Sequence, residues 1–83
     1  MSDLKQIKII HELIQILGLP SEASEALEFS LWLFGNNVDA TLRWLQEPAR
    51  GLGHKKPVDL LMTEEGRKQV ILLINRIEYG VGL

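Results

Sequence analysis

Helix-breaking residues divide this chain into short segments, and their positions limit which folds the chain can adopt. Gly18 and Pro20 follow the first apolar stretch, residues 35–37 (Gly-Asn-Asn) follow the second, and Pro48 follows the third. Within each segment, apolar residues recur at spacings of three and four, the period of one helix face. Glycine ends a helix in a left-handed conformation, and proline cannot extend its hydrogen-bond ladder. The 83 residues therefore predict one all-α domain of five helices, the third and fourth of them short.

The first two helices are both rich in apolar residues. The first is predicted from Leu4 to Leu17, with a face formed by Ile7, Ile10, Ile14 and Leu17. The second begins at Ser21, a residue type that favours the N-cap, and runs to Phe34. Its second half reads LEFSLWLF, a pattern typical of a helix that is central to a core or part of an oligomer interface. The residues that a dimer interface would use are Leu27, Leu31, Trp32 and Phe34.

Capping residues also define three helices in the second half of the chain. Asn37 or Asp39 caps a short third helix, and Pro57 occupies the first position of a short fourth helix, where its missing N–H is not needed. Thr63 caps the last helix, which ends at Gly80. The inward face of that helix is predicted to comprise Val70, Leu73, Ile74 and Ile77, broadened by Ile71 and Leu72.

The charge is distributed unevenly along the chain. The net charge is −2: residues 1–49 hold three basic and seven acidic side chains, whereas residues 50–83 hold six and four. Neutralisation of phosphates dominates the affinity of proteins for nucleic acid, so this balance disfavours DNA binding by the chain alone. A basic loop in the second half is by default a solvated segment, and anion or partner contact is the alternative. Its residues are Arg50, His54, Lys55 and Lys56.

No catalytic, metal or cofactor site emerges from the sequence. The chain has no cysteine, and Gln15 stands where a zinc-protease motif that begins at His11 would need its second histidine. The loop glycines lack the pattern of a phosphate-binding loop. No apolar run reaches the roughly 18–20 residues of a membrane span. We therefore expect a cytoplasmic binding protein rather than an enzyme, with no cofactor.

From Trp44 onward, residues at fixed spacings form one extended motif. The motif comprises Trp44-Leu45, Pro48, Leu52-Gly53, Pro57, Asp59-Leu60-Leu61, Thr63, Gly66, Val70, Leu72-Leu73, Ile77-Glu78 and Gly80. It resembles the toxin-binding domain of the Xre/MbcA/ParS family of bacterial antitoxins. Residues 33–40 resemble the same family's approach to the Trp-Leu pair. The division that follows is an N-terminal helical pair over residues 1–35 and a toxin-binding region over residues 36–83.

The resemblance implies an all-helical module that binds and silences a toxin. Partners of this family are typically RES-domain proteins that consume NAD, and the C-terminal region of the antitoxin covers the entrance to the toxin's active site. Carried over to this sequence, the contact residues are Arg76, Glu78, Tyr79, Gly80, Val81 and Leu83. Together with the apolar second helix, this predicts a protein that forms a dimer and binds a RES-domain toxin.

The chain departs from the family at its N-terminus. Many members carry a complete helix-turn-helix of the Cro type there, and the 43 residues before Trp44 are too few for it. Two alternatives remain open. One is a DNA-binding regulator that uses the second and third helices, for which Arg43 is the single basic residue of the third helix. The other is a purely structural module that forms homo-oligomers.

Overall fold

The computed structural model describes residues 4–79, and helices follow one another through this range. In chain order the elements are α1 (Leu4–Leu17), a 3-10 turn (Ser21–Ala23), α2 (Ser24–Leu33), α3 (Val38–Leu45), a second 3-10 turn (Arg50–Leu52), α4 (Pro57–Leu60) and α5 (Glu64–Tyr79). Within these residues the sole β-type pairing is an isolated antiparallel bridge between Ala49 and Lys55. The prediction of an all-α fold with five α-helices is therefore confirmed. The predicted cap at Gly80 lies outside the described residues.

The first helix ends as its breakers predict, but the second begins differently. Gly18 has a φ of 67°, and the N–H of Leu19 donates to the carbonyl oxygen of Ile14 at 2.9 Å, which closes α1. The predicted N-cap at Ser21 is wrong. Residues 21–23 form a 3-10 turn without a side-chain cap, and the Ser24 hydroxyl donates to the carbonyl oxygen of Ser21 at 2.7 Å. The α-helical part of the second segment therefore starts three residues later than predicted.

Two predicted side-chain caps are confirmed in the second half. The Asn37 side chain accepts a hydrogen bond from the N–H of Ala40 at 3.1 Å, so Asn37 rather than Asp39 caps α3. The Thr63 hydroxyl accepts one from the N–H of Gly66 at 3.0 Å at the start of α5. Each cap satisfies a backbone N–H that has no partner within its helix, which fixes where the helix begins.

The core forms around α2, which packs against both α1 and α5. Its buried hydrophobic residues are Ile10, Leu13, Leu19, Ala23, Ala26, Leu27, Leu31, Leu45, Leu52, Leu61, Val70 and Ile74. Leu27 and Leu31 are 0% and 1% exposed, so neither is accessible to a second copy, contrary to the predicted interface. Because α2 is covered on two sides, most of its apolar surface is used within the chain.

Two residues of the predicted inward faces lie at the surface instead. Ile7 of α1 is 44% exposed and Leu72 of α5 is 52% exposed. In α1 the fully buried positions are Ile10 and Leu13, so the face that packs is turned away from Ile7. No helix in residues 4–79 is both long enough and apolar enough to cross a membrane.

The junction between α4 and α5 depends on one glycine. Gly66 is buried in the first turn of α5, and a β-carbon built there would overlap the carbonyl oxygen of Leu60. One residue later, Arg67 donates from Nη1 to the carbonyl oxygen of Leu61 at 3.2 Å, which satisfies an acceptor at the end of α4. The two helices can approach this closely because position 66 has no side chain.

We expect Gly66→Ala to destabilise the domain by about 1–3 kcal/mol, because overpacking against backbone outweighs the roughly 1 kcal/mol that alanine gains in a helix. At about 4–8 °C per kcal/mol in a domain of this size, thermal denaturation followed by circular dichroism will resolve the change. Lys68→Ala, at an exposed position of the same helix, is the control and should change stability by less than about 0.5 kcal/mol. An unchanged melting temperature for Gly66→Ala contradicts the close approach.

Candidate partner-binding site

The basic loop predicted between α3 and α4 is closed by backbone hydrogen bonds. The N–H of Ala49 donates to the carbonyl oxygen of Lys55 at 3.0 Å, and the N–H of His54 donates to the carbonyl oxygen of Ala49 at 2.9 Å. Gly53 and His54 adopt left-handed φ values of 65° and 64°, which reverse the chain after the 3-10 turn. Leu52 is 7% exposed and anchors the turn in the core. The loop is thus a fixed part of the surface.

This loop lies against α5 and forms a groove with it. A β-carbon at Gly51 would lie 2.5 Å from Cδ1 of Leu73, so the missing side chain lets the turn approach the helix. One cavity in the groove measures about 520 Å³, and an adjoining one of about 180 Å³ shares Gly51 and Leu73 with it. We call these two cavities the α3–α5 groove; its lining residues are Trp44, Ala49, Arg50, Gly51, Leu52, Gln69, Leu72, Leu73, Arg76 and Ile77.

Two arginines from separately predicted sets border this groove. The sequence groups Arg50 with the basic loop and Arg76 with the toxin contacts. Both are exposed: Arg50 lines the larger cavity and Arg76 lines the smaller one. Across the described residues, the groove lining includes no acidic side chain. The other members of the basic loop, His54, Lys55 and Lys56, are exposed outside this lining. The structure therefore divides the predicted basic cluster and places Arg50 beside the groove.

Two of the remaining predicted toxin contacts, Glu78 and Tyr79, lie at the end of α5. Glu78 is exposed in the last turn of the helix, and Tyr79 is the last described residue. Gly80, Val81 and Leu83 lie outside the described residues. The α3–α5 groove opens beside the same end of the helix, because Arg76 and Ile77 line it.

A smaller apolar surface lies where α1 meets the C-terminal half of α2. Trp32 is 50% exposed, and its ring meets that of Phe29 edge to face at 6.4 Å between centroids. With Gln6 and Glu28 these rings line a cavity of about 220 Å³. Of the four predicted interface residues, Trp32 is thus the most accessible.

Phe34, the fourth predicted interface residue, is partly buried. Its ring lies 5.9 Å from that of Trp44, with an angle of 54° between the two planes. This contact connects the end of α2 to α3 and fixes one wall of the α3–α5 groove. Trp44 is itself partly buried between the core and the groove.

Sequence reasoning missed Gly51 as a residue of the site. A side chain at this position would meet Leu73 on α5. The two residues are far apart in sequence, and a single sequence carries no signal that pairs them. The arrangement offers apolar surface and positive charge, which suit binding. In residues 4–79 no group of three or more histidine, aspartate and glutamate side chains is placed to hold a metal ion.

Comparison with known proteins places these features in a family. A family model described as the antitoxin Xre/MbcA/ParS C-terminal toxin-binding domain matches residues 32–80. The chain is 45% identical over 49 residues to an antitoxin Xre from Yersinia enterocolitica, which covers 59% of this chain and 33% of that relative. It is 38% identical over 55 residues to an antitoxin Xre from Photorhabdus laumondii, covering 66% of this chain and 37% of that relative.

The chain spans about a third of the length of these two relatives. No solved structure gives a significant match. The matched region, residues 32–80, contains α3, α4, α5 and every residue of the α3–α5 groove. Because this region is more than half of the chain, the resemblance drawn from the sequence is confirmed: the chain belongs to the Xre/MbcA/ParS antitoxin family through its C-terminal toxin-binding domain.

Proposed function

We propose that the chain is an antitoxin that binds a cognate RES-type, NAD-degrading toxin and neutralises it by covering the toxin's active site. The observation that carries this proposal is the match of the toxin-binding domain to residues 32–80. Both relatives bear the name antitoxin Xre, which supports the same role. The choice of a RES-type partner rests on the family resemblance. Since the proposed partner consumes NAD, we also propose that the chain acts in the cytoplasm.

The mechanism requires binding and no bond chemistry in the antitoxin. Val70 and Ile74, both 0% exposed, hold α5 against the core, so the end of the helix is presented from a fixed base. Arg76 and Glu78 are exposed there and precede the residues that we assign to the toxin's active-site entrance. A preorganised helix loses little conformational freedom on binding, which favours affinity.

Co-expression tests the partner. We expect a cognate RES-domain protein to arrest growth and deplete NAD when expressed alone, and co-expression of this chain to restore both through a stable complex. A tagged chain recovered with the toxin by size-exclusion chromatography measures the complex directly. Failure to form a complex with any RES-domain protein contradicts the proposal, as does rescue of growth without a complex.

Removal of residues 79–83 tests the role of the C-terminal residues. Within residues 4–78, the last fully buried core residue is Ile74, so we expect the truncated chain to keep its helical circular dichroism and cooperative melting. We expect its inhibition of the toxin to fall much more than its stability. If the truncated chain unfolds, these residues are structural, and if it inhibits fully, active-site covering by the C-terminus is wrong.

We also propose a homodimer through the surface around Trp32. This aromatic side chain is half exposed beside Phe29, although the core already uses Leu27 and Leu31. Large exposed aromatic side chains are enriched in protein interfaces. DNA binding remains disfavoured, because the 3-10 turn carries the exposed acidic residue Glu22 and α2 carries the exposed acidic residues Glu25 and Glu28.

Trp32→Glu tests the dimer. The substitution places a charge in the apolar contact, so light scattering should show a shift from dimer toward monomer at equal concentration. Ile16→Glu is the matched control, because Ile16 is 70% exposed and lies about 15 Å along α1 from Gln6, which lines the Trp32 surface. A Trp32→Glu chain that stays fully associated, or a native chain that is monomeric, contradicts this interface.

A further inference from the structure

We propose that the α3–α5 groove binds a short, extended segment of the toxin that combines apolar and acidic side chains. This inference rests on the proposed function and adds a second contact to the one assigned to the C-terminal residues. The groove would anchor the toxin, while the C-terminal residues cover its active site. Arg76 belongs both to the groove and to the predicted C-terminal contacts. Arg50 lies on the loop, outside the C-terminal contacts, so a change there alters the groove alone.

The apolar side chains of the proposed segment are inferred from groove residues that the fold leaves partly uncovered. Trp44, Leu73 and Ile77 are each partly buried and line a cavity of about 520 Å³. That volume lies within the roughly 300–1,000 Å³ of typical ligand-binding clefts. The wall is rigid, because Phe34 packs on Trp44 and the loop bearing Gly51 is closed by hydrogen bonds. A rigid apolar cleft favours apolar side chains that need little rearrangement of the site.

The acidic side chains of the proposed segment are inferred from the positive charges at the rim of the groove. Arg50 and Arg76 border the groove, and its lining within residues 4–79 holds no carboxylate to neutralise them. Guanidinium groups bind carboxylates through paired hydrogen bonds, and complementary charge speeds association. A segment with aspartate or glutamate beside its apolar residues therefore fits the groove better than a neutral or basic one.

The length of the groove sets the length of the segment. Gln69 and Ile77 mark its two ends on α5, eight residues apart, which corresponds to about 12 Å along a helix. An extended chain advances about 3.3 Å per residue, so about four residues span this distance. We therefore assign the groove to a short segment of about four residues in extended conformation.

The toxin is a better occupant than a second copy of the chain. Every lining residue, from Trp44 to Ile77, falls inside residues 32–80, the region that matches a toxin-binding domain. The surface that we assign to the homodimer centres on Trp32 and is lined by α1 and α2. The two cavity linings share no residue, so one chain can use both surfaces at once.

Charge reversal tests whether the groove binds acidic side chains of the toxin. The chain with Arg50→Glu should bind the toxin at least about tenfold more weakly than the native chain at low salt. Its affinity should also depend less on salt concentration, because the attractive charge pairs are lost. The chain with Lys55→Glu is the matched control: it has the same change in net charge, at an exposed position outside the groove. We expect its affinity to stay within about threefold of native.

Site-specific photocrosslinking tests occupancy without depending on affinity. A benzophenone amino acid at position 72, inside the groove, should crosslink to an apolar segment of the toxin with acidic residues. The same group at position 62 is the control, because Leu72 and Met62 are 52% and 53% exposed and Met62 lies outside the lining. Mass spectrometry of the crosslinked peptides identifies the segment. Circular dichroism confirms that each variant is folded.

The outcomes separate this inference from the proposed function. A native chain that binds no RES-domain toxin overturns both. Native binding of the toxin, with unchanged affinity after charge reversal and no crosslink from position 72 to the toxin, overturns the groove alone. A crosslink from position 72 to a second copy also overturns it, since the groove would then be a homomeric interface. Loss of affinity with a toxin crosslink at position 72, and neither effect in the controls, supports it.

Discussion

Burial of α2 between α1 and α5 is the interaction on which the rest of this structure depends. Leu27 and Leu31 on α2 and Val70 and Ile74 on α5 are almost fully removed from solvent. Each such side chain contributes about 1.5–3 kcal/mol by leaving water. No disulfide can assist a chain without cysteine, so apolar packing must hold α5 in place. Because this packing fixes the middle of α5, the exposed end of the helix has a defined position.

The same small size explains why apolar surface remains for partners. A chain of this length buries only about 60–65% of the surface that its unfolded form exposes, so some apolar side chains stay partly uncovered. Some of them line the α3–α5 groove and the surface around Trp32, whereas others, such as Ile16 and Met62, are exposed elsewhere. The groove exists because Gly51 brings the loop against Leu73 while Trp44 remains to one side. Local backbone geometry thus decides where the uncovered surface lies.

The sequence predicted the elements well and their contacts less well. Gly18, Asn37 and Thr63 act locally, through backbone conformation or a hydrogen bond three residues away, so their effects can be inferred from neighbouring residues. The 3-10 turn before α2 was missed because Ser21 also fits an ordinary N-cap. The groove depends on Gly51 meeting Leu73, a contact between distant parts of the chain that no periodicity indicates.

The two sides of α5 show why stability and binding can be separated in this domain. Val70 and Ile74 lie one turn apart on the buried side, whereas Leu72 and Arg76 lie one turn apart on the exposed side. A helix turns about 100° per residue, so residues two positions apart lie on nearly opposite sides. Changes on the exposed side can alter partner choice without opening the core. In this domain the surface beside the groove can therefore vary while the fold is kept.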